Sequence, residues 1–199
     1  MKNGASRRFF CVMTSLHERE SRFLRAGLEQ LKDYLLSNEL FWNLGLPANY
    51  PQFTLGNLLL SAAQLGAATG LSAAEDSERR QLLADLEKKK KEWRNAWESK
   101  AQREFASRLQ LWGQYLDELG QSPGQQGGYF KSEARQRALL EILSEDLPAS
   151  EHLLKGELTL LDQRLRRYIE DGDFIWDETV KKGFPKGRYW FLYARPKAR

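Results

Sequence analysis

A long stretch of apolar residues at helical spacing, from Ser72 to Leu119, constrains the fold more than any other feature of this sequence. Its apolar side chains recur every three, four or seven residues, the spacing that places them on one face of an α-helix. The stretch predicts one helix, or two helices joined nearly end to end. Unbroken, it would be roughly 70 Å long, which exceeds a compact domain and favours packing against other helices or a partner. The stripe consists of Leu82, Leu86, Trp93, Trp97, Ala101, Phe105, Leu109, Trp112, Leu116 and Leu119.

Two shorter helices are predicted ahead of this stretch. Ser15 begins a capping box, in which serine and glutamate side chains satisfy free backbone N–H groups, and the helix that follows should end near Leu40. Thr54 can cap a second helix that runs to about Ala68 and is apolar on nearly all sides, so it should be buried. Residues 41–51 are apolar but interrupted by proline and glycine, and they predict an ordered connection packed on the helices.

A stretch rich in glycine, proline and glutamine, residues 121–128, predicts a flexible linker. It divides the chain into a helical bundle, residues 15–120, and a smaller unit, residues 129–199. Residues 1–14 are predicted to be a flexible extension.

The smaller unit is predicted to contain helices at residues 132–146 and 150–170, the second of which Gly156 could break. Residues 174–176 and 189–193 have the aromatic composition of two strands in a terminal β-hairpin. The predicted fold is therefore mainly α: a helical bundle around one long central helix, with a small C-terminal helical unit that ends in a β-hairpin.

Composition excludes several classes of protein. A hydrophobic fraction of 41% predicts a packed core rather than a disordered chain. The longest uncharged stretch, residues 41–74, is interrupted too often to supply the ~20 apolar residues of a membrane span. The single cysteine, Cys11, cannot form an internal disulfide and favours a reducing compartment, so we expect a cytoplasmic protein without membrane contacts.

Positive charge is concentrated at the C terminus. The chain has a net charge of +4, but residues 181–199 alone carry +7 and no acidic residue, which leaves −3 for the rest. An acidic partner such as nucleic acid should therefore be attracted to this tail.

The order of predicted elements after the linker matches a winged helix-turn-helix, a DNA-binding arrangement. Residues 132–146 would form the first helix, 150–155 the second and 158–170 the recognition helix, while the wing would be the loop 181–188. Three leucines crowd the turn of the recognition helix that should contact bases, which weakens the hypothesis. The candidate contacts with nucleic acid or another acidic partner are Arg164, Arg166, Arg167, Lys181, Lys182, Lys186, Arg188 and Arg195.

The tryptophans of the long stripe, Trp93, Trp97 and Trp112, are candidate contacts with a partner helix. Such a stripe is more often part of a protein core than a binding surface. Both interpretations stay open from the sequence.

Catalytic residues are not apparent. The two histidines, His17 and His152, stand in different predicted helices and are expected at the surface. An acidic cluster could hold a hard divalent cation, but it is first of all a helix stop and a turn. We predict no catalytic, cofactor-binding or metal-binding residue and find no evident small-molecule substrate. The cluster consists of Asp171, Asp173, Asp177 and Glu178.

These patterns favour a non-enzymatic interaction or assembly component that acts through helical surfaces, on a protein partner or on a second copy of itself. The alternative is a nucleic-acid-binding protein that uses the winged-helix-like region. A metal-dependent enzyme acting through the acidic cluster is the least favoured of the three.

Overall fold

The computed structural model describes residues 15–148 and 150–197, and this part of the chain is mainly α-helical, as predicted. The expectations for residues 1–14, including Cys11, lie outside the described residues. Strands β1 (Ile169–Asp171) and β2 (Ala194–Pro196) form a small antiparallel sheet. Short 3-10 helices span Gly127–Tyr129, Ser144–Asp146, Glu178–Gly183 and Trp190–Tyr193. The α-helices are α1 (Leu16–Leu36), α2 (Leu55–Ala67), α3 (Ala73–Glu92), α4 (Arg94–Gln121), α5 (Pro123–Gln126), α6 (Phe130–Leu143) and α7 (His152–Leu165).

The predicted starts of α1 and α2 are confirmed. The hydroxyl of Ser15 accepts a hydrogen bond from the Glu18 backbone N–H, and that of Thr54 accepts one from the Asn57 N–H. Helix α1 ends at Leu36, four residues before the predicted end. The reason is tertiary, because the ammonium group of Lys100 on α4 binds the carbonyl oxygens of Ser37 and Glu39 at 2.8 Å each and holds the chain in a turn.

The long apolar stripe forms two helices rather than one. Trp93 interrupts the helix with φ −110° and ψ 29°. Only Leu82 and Leu86 are buried on α3, which packs against α1 and α2, whereas α4 contacts α1, α2, α6 and α7. Helix α4 is therefore the central helix of the bundle, and α3 covers one side.

Residues 121–128, where a flexible linker is predicted from the sequence, consist largely of helical turns. Pro123 begins the short helix α5, and a 3-10 turn then leads directly into α6. The buried apolar residues on both sides of this segment belong to one cluster, because α6 packs on α2 and α4. Proline is favoured at the first position of a helix, so Pro123 can begin α5 although glycines follow it.

The C-terminal region contains a small two-stranded antiparallel sheet, as predicted, but its strands lie elsewhere: residues 174–176 and 189–193 are not strands. Helix α7 runs through Gly156 without a break. The sheet instead pairs β1 with β2, residue Ile169 lying opposite Pro196. Aromatic side chains between these strands pack edge to face on one another, with ring centroids 5.0 Å apart for Trp176 and Phe184 and for Phe184 and Tyr189. The backbone that carries this cluster is irregular, and the alternation of apolar and polar residues in the sequence does not predict such a conformation.

None of the helices in the described residues has the length and apolar composition needed to cross a lipid bilayer.

Candidate functional site

Most of the basic residues predicted to bind an acidic partner are already paired within the protein. Arg188 binds Glu141 at 3.0 Å and Glu145 at 2.6 Å, so the C-terminal segment is tied to the end of α6. The ion pairs neutralise much of the positive tail and reduce its attraction for phosphate. The other pairs are Arg164 with Asp117, Lys181 with Glu178, Lys186 with Asp171, and Arg195 with Glu170.

The remaining three candidates are exposed. The guanidinium of Arg166 lies 3.6 Å from the centroid of the Trp190 ring. Arg167 and Lys182 make no ion pair with any residue that the structure describes. The described residues do not form the winged-helix arrangement, because the continuous helix α7 replaces both the second and the recognition helix, and residues 181–188 are the end of a 3-10 helix followed by a turn rather than a loop between two strands.

Two of the three tryptophans proposed as partner contacts are core residues. Trp97 is 1% exposed and Trp112 is 0% exposed. The indole N–H of Trp97 donates to Asp146 at 3.0 Å, which satisfies it inside the protein. Trp93 is half-buried at the junction of α3 and α4, with the ammonium group of Lys32 above its ring. The stripe therefore stabilises the bundle and leaves no aromatic platform.

The histidines and the acidic cluster have structural contacts. His17 is buried, contrary to expectation, and its Nε2 lies 3.2 Å from the Glu75 carbonyl oxygen of α3. His152 is exposed at the start of α7. Asp177 caps a 3-10 helix by accepting from the Thr179 N–H, and hydrogen bonds from Thr179 lower the pKa of its carboxyl group. Among the described residues, no three metal-ligating side chains are grouped closely enough to hold an ion.

The residues that connect α1 to α2 form an uncharged groove, which was not predicted as a site. It encloses about 350 Å³, and no charged side chain lines it. The sequence does contain an indication of this groove, because aromatic, leucine and proline residues occur together in residues 41–53 without a charged residue. We call it the 41–53 groove; it is lined by Phe41, Trp42, Asn43, Leu44, Leu46, Pro47, Ala48, Tyr50, Pro51, Gln52 and Phe53.

Hydrogen bonds hold the segment that forms the 41–53 groove near its first and its last residue. Backbone hydrogen bonds join Trp42 and Phe53 in both directions, at 2.9 and 3.1 Å. The indole N–H of Trp42 donates to Gln30 on α1 at 2.8 Å. Within the loop, the side-chain oxygen of Asn43 accepts a hydrogen bond from the Gly45 N–H. Gly45 has a φ of 71°, a conformation that residues with a Cβ atom rarely adopt. The predicted ordered connection is thus confirmed.

Positive charge borders the groove beside Tyr50. The guanidinium groups of Arg19 and Arg22, on α1, each lie 5.9 Å from the centroid of the Tyr50 ring. Phe41, which also lines the groove, is 54% exposed. The groove therefore offers apolar contacts along its length and positive charge beside Tyr50.

No family model, curated protein or solved structure matches this chain. Its candidate function rests on the geometry of the 41–53 groove and the charges at its border.

Proposed function

We propose that this chain is a non-enzymatic interaction component that binds an apolar segment of a partner protein in the 41–53 groove. The observation that carries the proposal is a concave, uncharged loop in which Phe41, Trp42 and Tyr50 are at least partly exposed although the backbone is held by hydrogen bonds.

The construction of the loop favours binding. Tryptophan and tyrosine, both present in the groove as Trp42 and Tyr50, are enriched among the residues that contribute most binding energy at protein interfaces. Because Trp42 and Phe53 are fixed by backbone and side-chain contacts in the free protein, little conformational entropy is lost when a partner binds. Arg19 and Arg22 favour a partner segment that carries an acidic residue next to its apolar residues.

A peptide-display selection against the full chain tests the proposal. We expect enriched peptides to combine apolar residues with a flanking Asp or Glu. Their affinity, measured by fluorescence anisotropy, should fall roughly tenfold or more in Phe41→Ser, because an exposed anchor is removed. Leu153→Ser is the matched control, since Leu153 is an equally apolar side chain, 88% exposed on α7. Peptide binding that survives Phe41→Ser unchanged would contradict the proposal.

Self-association is a separate outcome. If sedimentation velocity finds a dimer that is lost in Phe41→Ser but retained in Leu153→Ser, the occupant of the groove is a second copy of the chain. A monomer at all concentrations leaves a different protein as the partner.

Nucleic-acid binding is the second candidate, supported by the exposed cations Arg166 and Arg167 at the end of α7 and by the ring of Trp190 beneath Arg166. Anisotropy of labelled duplex and single-stranded oligonucleotides at two salt concentrations tests it. Binding should weaken with salt and in the double variant Arg166→Gln/Arg167→Gln. Tight binding would favour this candidate, whereas no binding at low salt would dismiss it.

The location that we propose is the cytoplasm, because the single cysteine of the chain cannot form an internal disulfide.

A further inference from the structure

A small polar cavity lies between α1, α2 and α6, with Tyr50 and Pro51 separating it from the 41–53 groove. Its volume is about 90 Å³. One water molecule needs roughly 10–15 Å³ of such space, so the cavity has room for several waters or one small oxyanion. Its polar walls are formed by Arg19, Glu20, Asn57, Ser61, Gln64 and Arg135.

Arg135 differs from the neighbouring arginines of the bundle. Arg108 is paired with Glu104 and Arg137 with Asp162, but Arg135 has no hydrogen bond or ion pair with any residue in the ranges 15–148 and 150–197. Burial, and then repulsion from Arg108, lower the pKa of its guanidinium to about 10. The group is still charged at neutral pH, so the cavity wall contains a cation without a hydrogen-bonded counterion.

Asn57 provides an independent indication of a ligand. It is 7% exposed, and its side-chain N–H donates to the Gln52 carbonyl oxygen at 2.8 Å, which determines the orientation of the amide. Its Oδ1 is buried and accepts no hydrogen bond from the described residues. A buried acceptor of this kind is costly unless a donor reaches it.

We infer that this cavity binds a small oxyanion that retains a proton, with hydrogenphosphate as the simplest example. The anionic oxygens would accept from Arg135 and from Arg19 at the cavity mouth, while the P–OH group would donate to Asn57. Glu20 also lines the cavity and disfavours an anion that cannot donate a hydrogen bond. Sulfate has the same shape but carries no proton at neutral pH, so it should bind more weakly.

Isothermal titration calorimetry on the full chain, with phosphate and then sulfate at equal ionic strength, tests the inference. We expect one phosphate per chain and at least a tenfold weaker affinity for sulfate. Arg135→Gln and Arg19→Gln should each weaken phosphate binding roughly tenfold or more, because each removes a charged hydrogen bond. Arg19 is partly exposed, so its variant should fold even if Arg135→Gln does not. Arg167→Gln, which removes an exposed charge on the turn after α7, is the matched control.

Two outcomes would overturn the inference. One is the absence of binding heat with millimolar phosphate, which would indicate that the cavity contains only water. The other is equal binding of phosphate and sulfate, or a loss in Arg167→Gln as large as that in Arg135→Gln, which would indicate nonspecific anion attraction. Phe41→Ser should leave phosphate binding unchanged, so this result is independent of the one for the groove.

Discussion

Glu104 and Arg108 form an ion pair that is almost fully buried between α4 and the start of α2. Glu104 accepts from the Gly56 N–H at 3.0 Å and from the Arg108 Nε at 2.7 Å. Arg108 also donates to Thr54 and Gln136. Each charge is thus satisfied by several partners, and those of Glu104 include the Gly56 N–H in the first turn of α2.

Removing one member of this pair should destabilise the protein strongly. We expect Glu104→Leu to lower the free energy of unfolding by roughly 3–5 kcal/mol, because Arg108 is left charged and buried. Urea denaturation measures the loss, and Glu104→Leu/Arg108→Leu should recover part of it. The control, Glu98→Gln, breaks a surface pair with Arg94 and should cause no measurable change. Equal losses of unfolding free energy in Glu104→Leu and Glu98→Gln would show that burial of the ion pair does not determine its effect on stability.

Glu133, on α6, should make stability depend on pH in the opposite direction to an ion-paired carboxylate. Burial, and then repulsion from Glu118, raise the pKa of Glu133 above its usual 4.5 in the folded protein. The folded state therefore binds the proton more tightly, and ionisation of Glu133 costs stability at neutral pH. Below pH 4.5 this cost is absent, because the group is protonated in both states.

Thermal melting of Glu133→Gln across pH measures this effect. The variant should melt above the wild-type protein at pH 7, and the difference should shrink as the pH falls through the raised pKa towards 4.5. A difference that is constant over this range would show that the carboxyl charge is not the cause.

At the scale of the elements, two helical glycines have opposite roles. A Cβ atom on Gly27 of α1 would lie 2.5 Å from the Phe53 ring and 3.1 Å from Leu58 Cδ1. A Cβ atom on Gly156 of α7 would meet nothing within 4 Å. Gly27 therefore permits the close packing of α1 on the groove and on α2, whereas Gly156 only weakens its own helix.

Substitution by alanine should separate these roles. We expect Gly27→Ala to lower the free energy of unfolding by roughly 1–3 kcal/mol through overpacking. Gly156→Ala should raise it by roughly 0.5–1 kcal/mol, because alanine favours the helix. Urea denaturation of both variants measures the two effects. Stabilisation by Gly27→Ala would contradict the packing described here.

At the scale of the whole molecule, Arg137 connects the bundle to the C-terminal region. It is 4% exposed and donates to both carboxylate oxygens of Asp162 on α7, at 2.7 and 2.8 Å. It also binds Glu141 and lies over the ring of Phe191, in the last 3-10 helix. One side chain therefore joins α6, α7 and the segment that precedes β2.

Loss of this side chain should loosen the C-terminal region first. In Arg137→Met we expect amide hydrogen exchange to accelerate in residues 169–196 more than in α1, with a destabilisation of roughly 3–5 kcal/mol. Arg103→Met, on the exposed side of α4, is the control and should leave exchange unchanged. Equal acceleration in α1 and residues 169–196 would show that the molecule opens as one unit.

The candidate sites could be predicted only in part. Residues 41–51 were expected to be ordered, but the concavity of the groove depends on the pairing of Trp42 with Phe53 and on Gln30 from α1. The small cavity was not predicted at all, because Asn57 and Arg135 are 78 positions apart in the chain. No local pattern indicates that such residues will share a wall.

The sequence by itself determined the helical class, the starts of α1 and α2 and the apolar stripe of α4, whose burial the tertiary structure decided. These features depend on contacts within about four residues, such as the Ser15 and Thr54 caps and the recurrence of Trp97, Ala101 and Phe105. Only the tertiary structure decided the continuity of α7, the pairing of β1 with β2 and the neutralisation of the basic tail. Each of these depends on partners far apart in the chain, such as Arg188 with Glu141, and is brought about by the packing of the whole core.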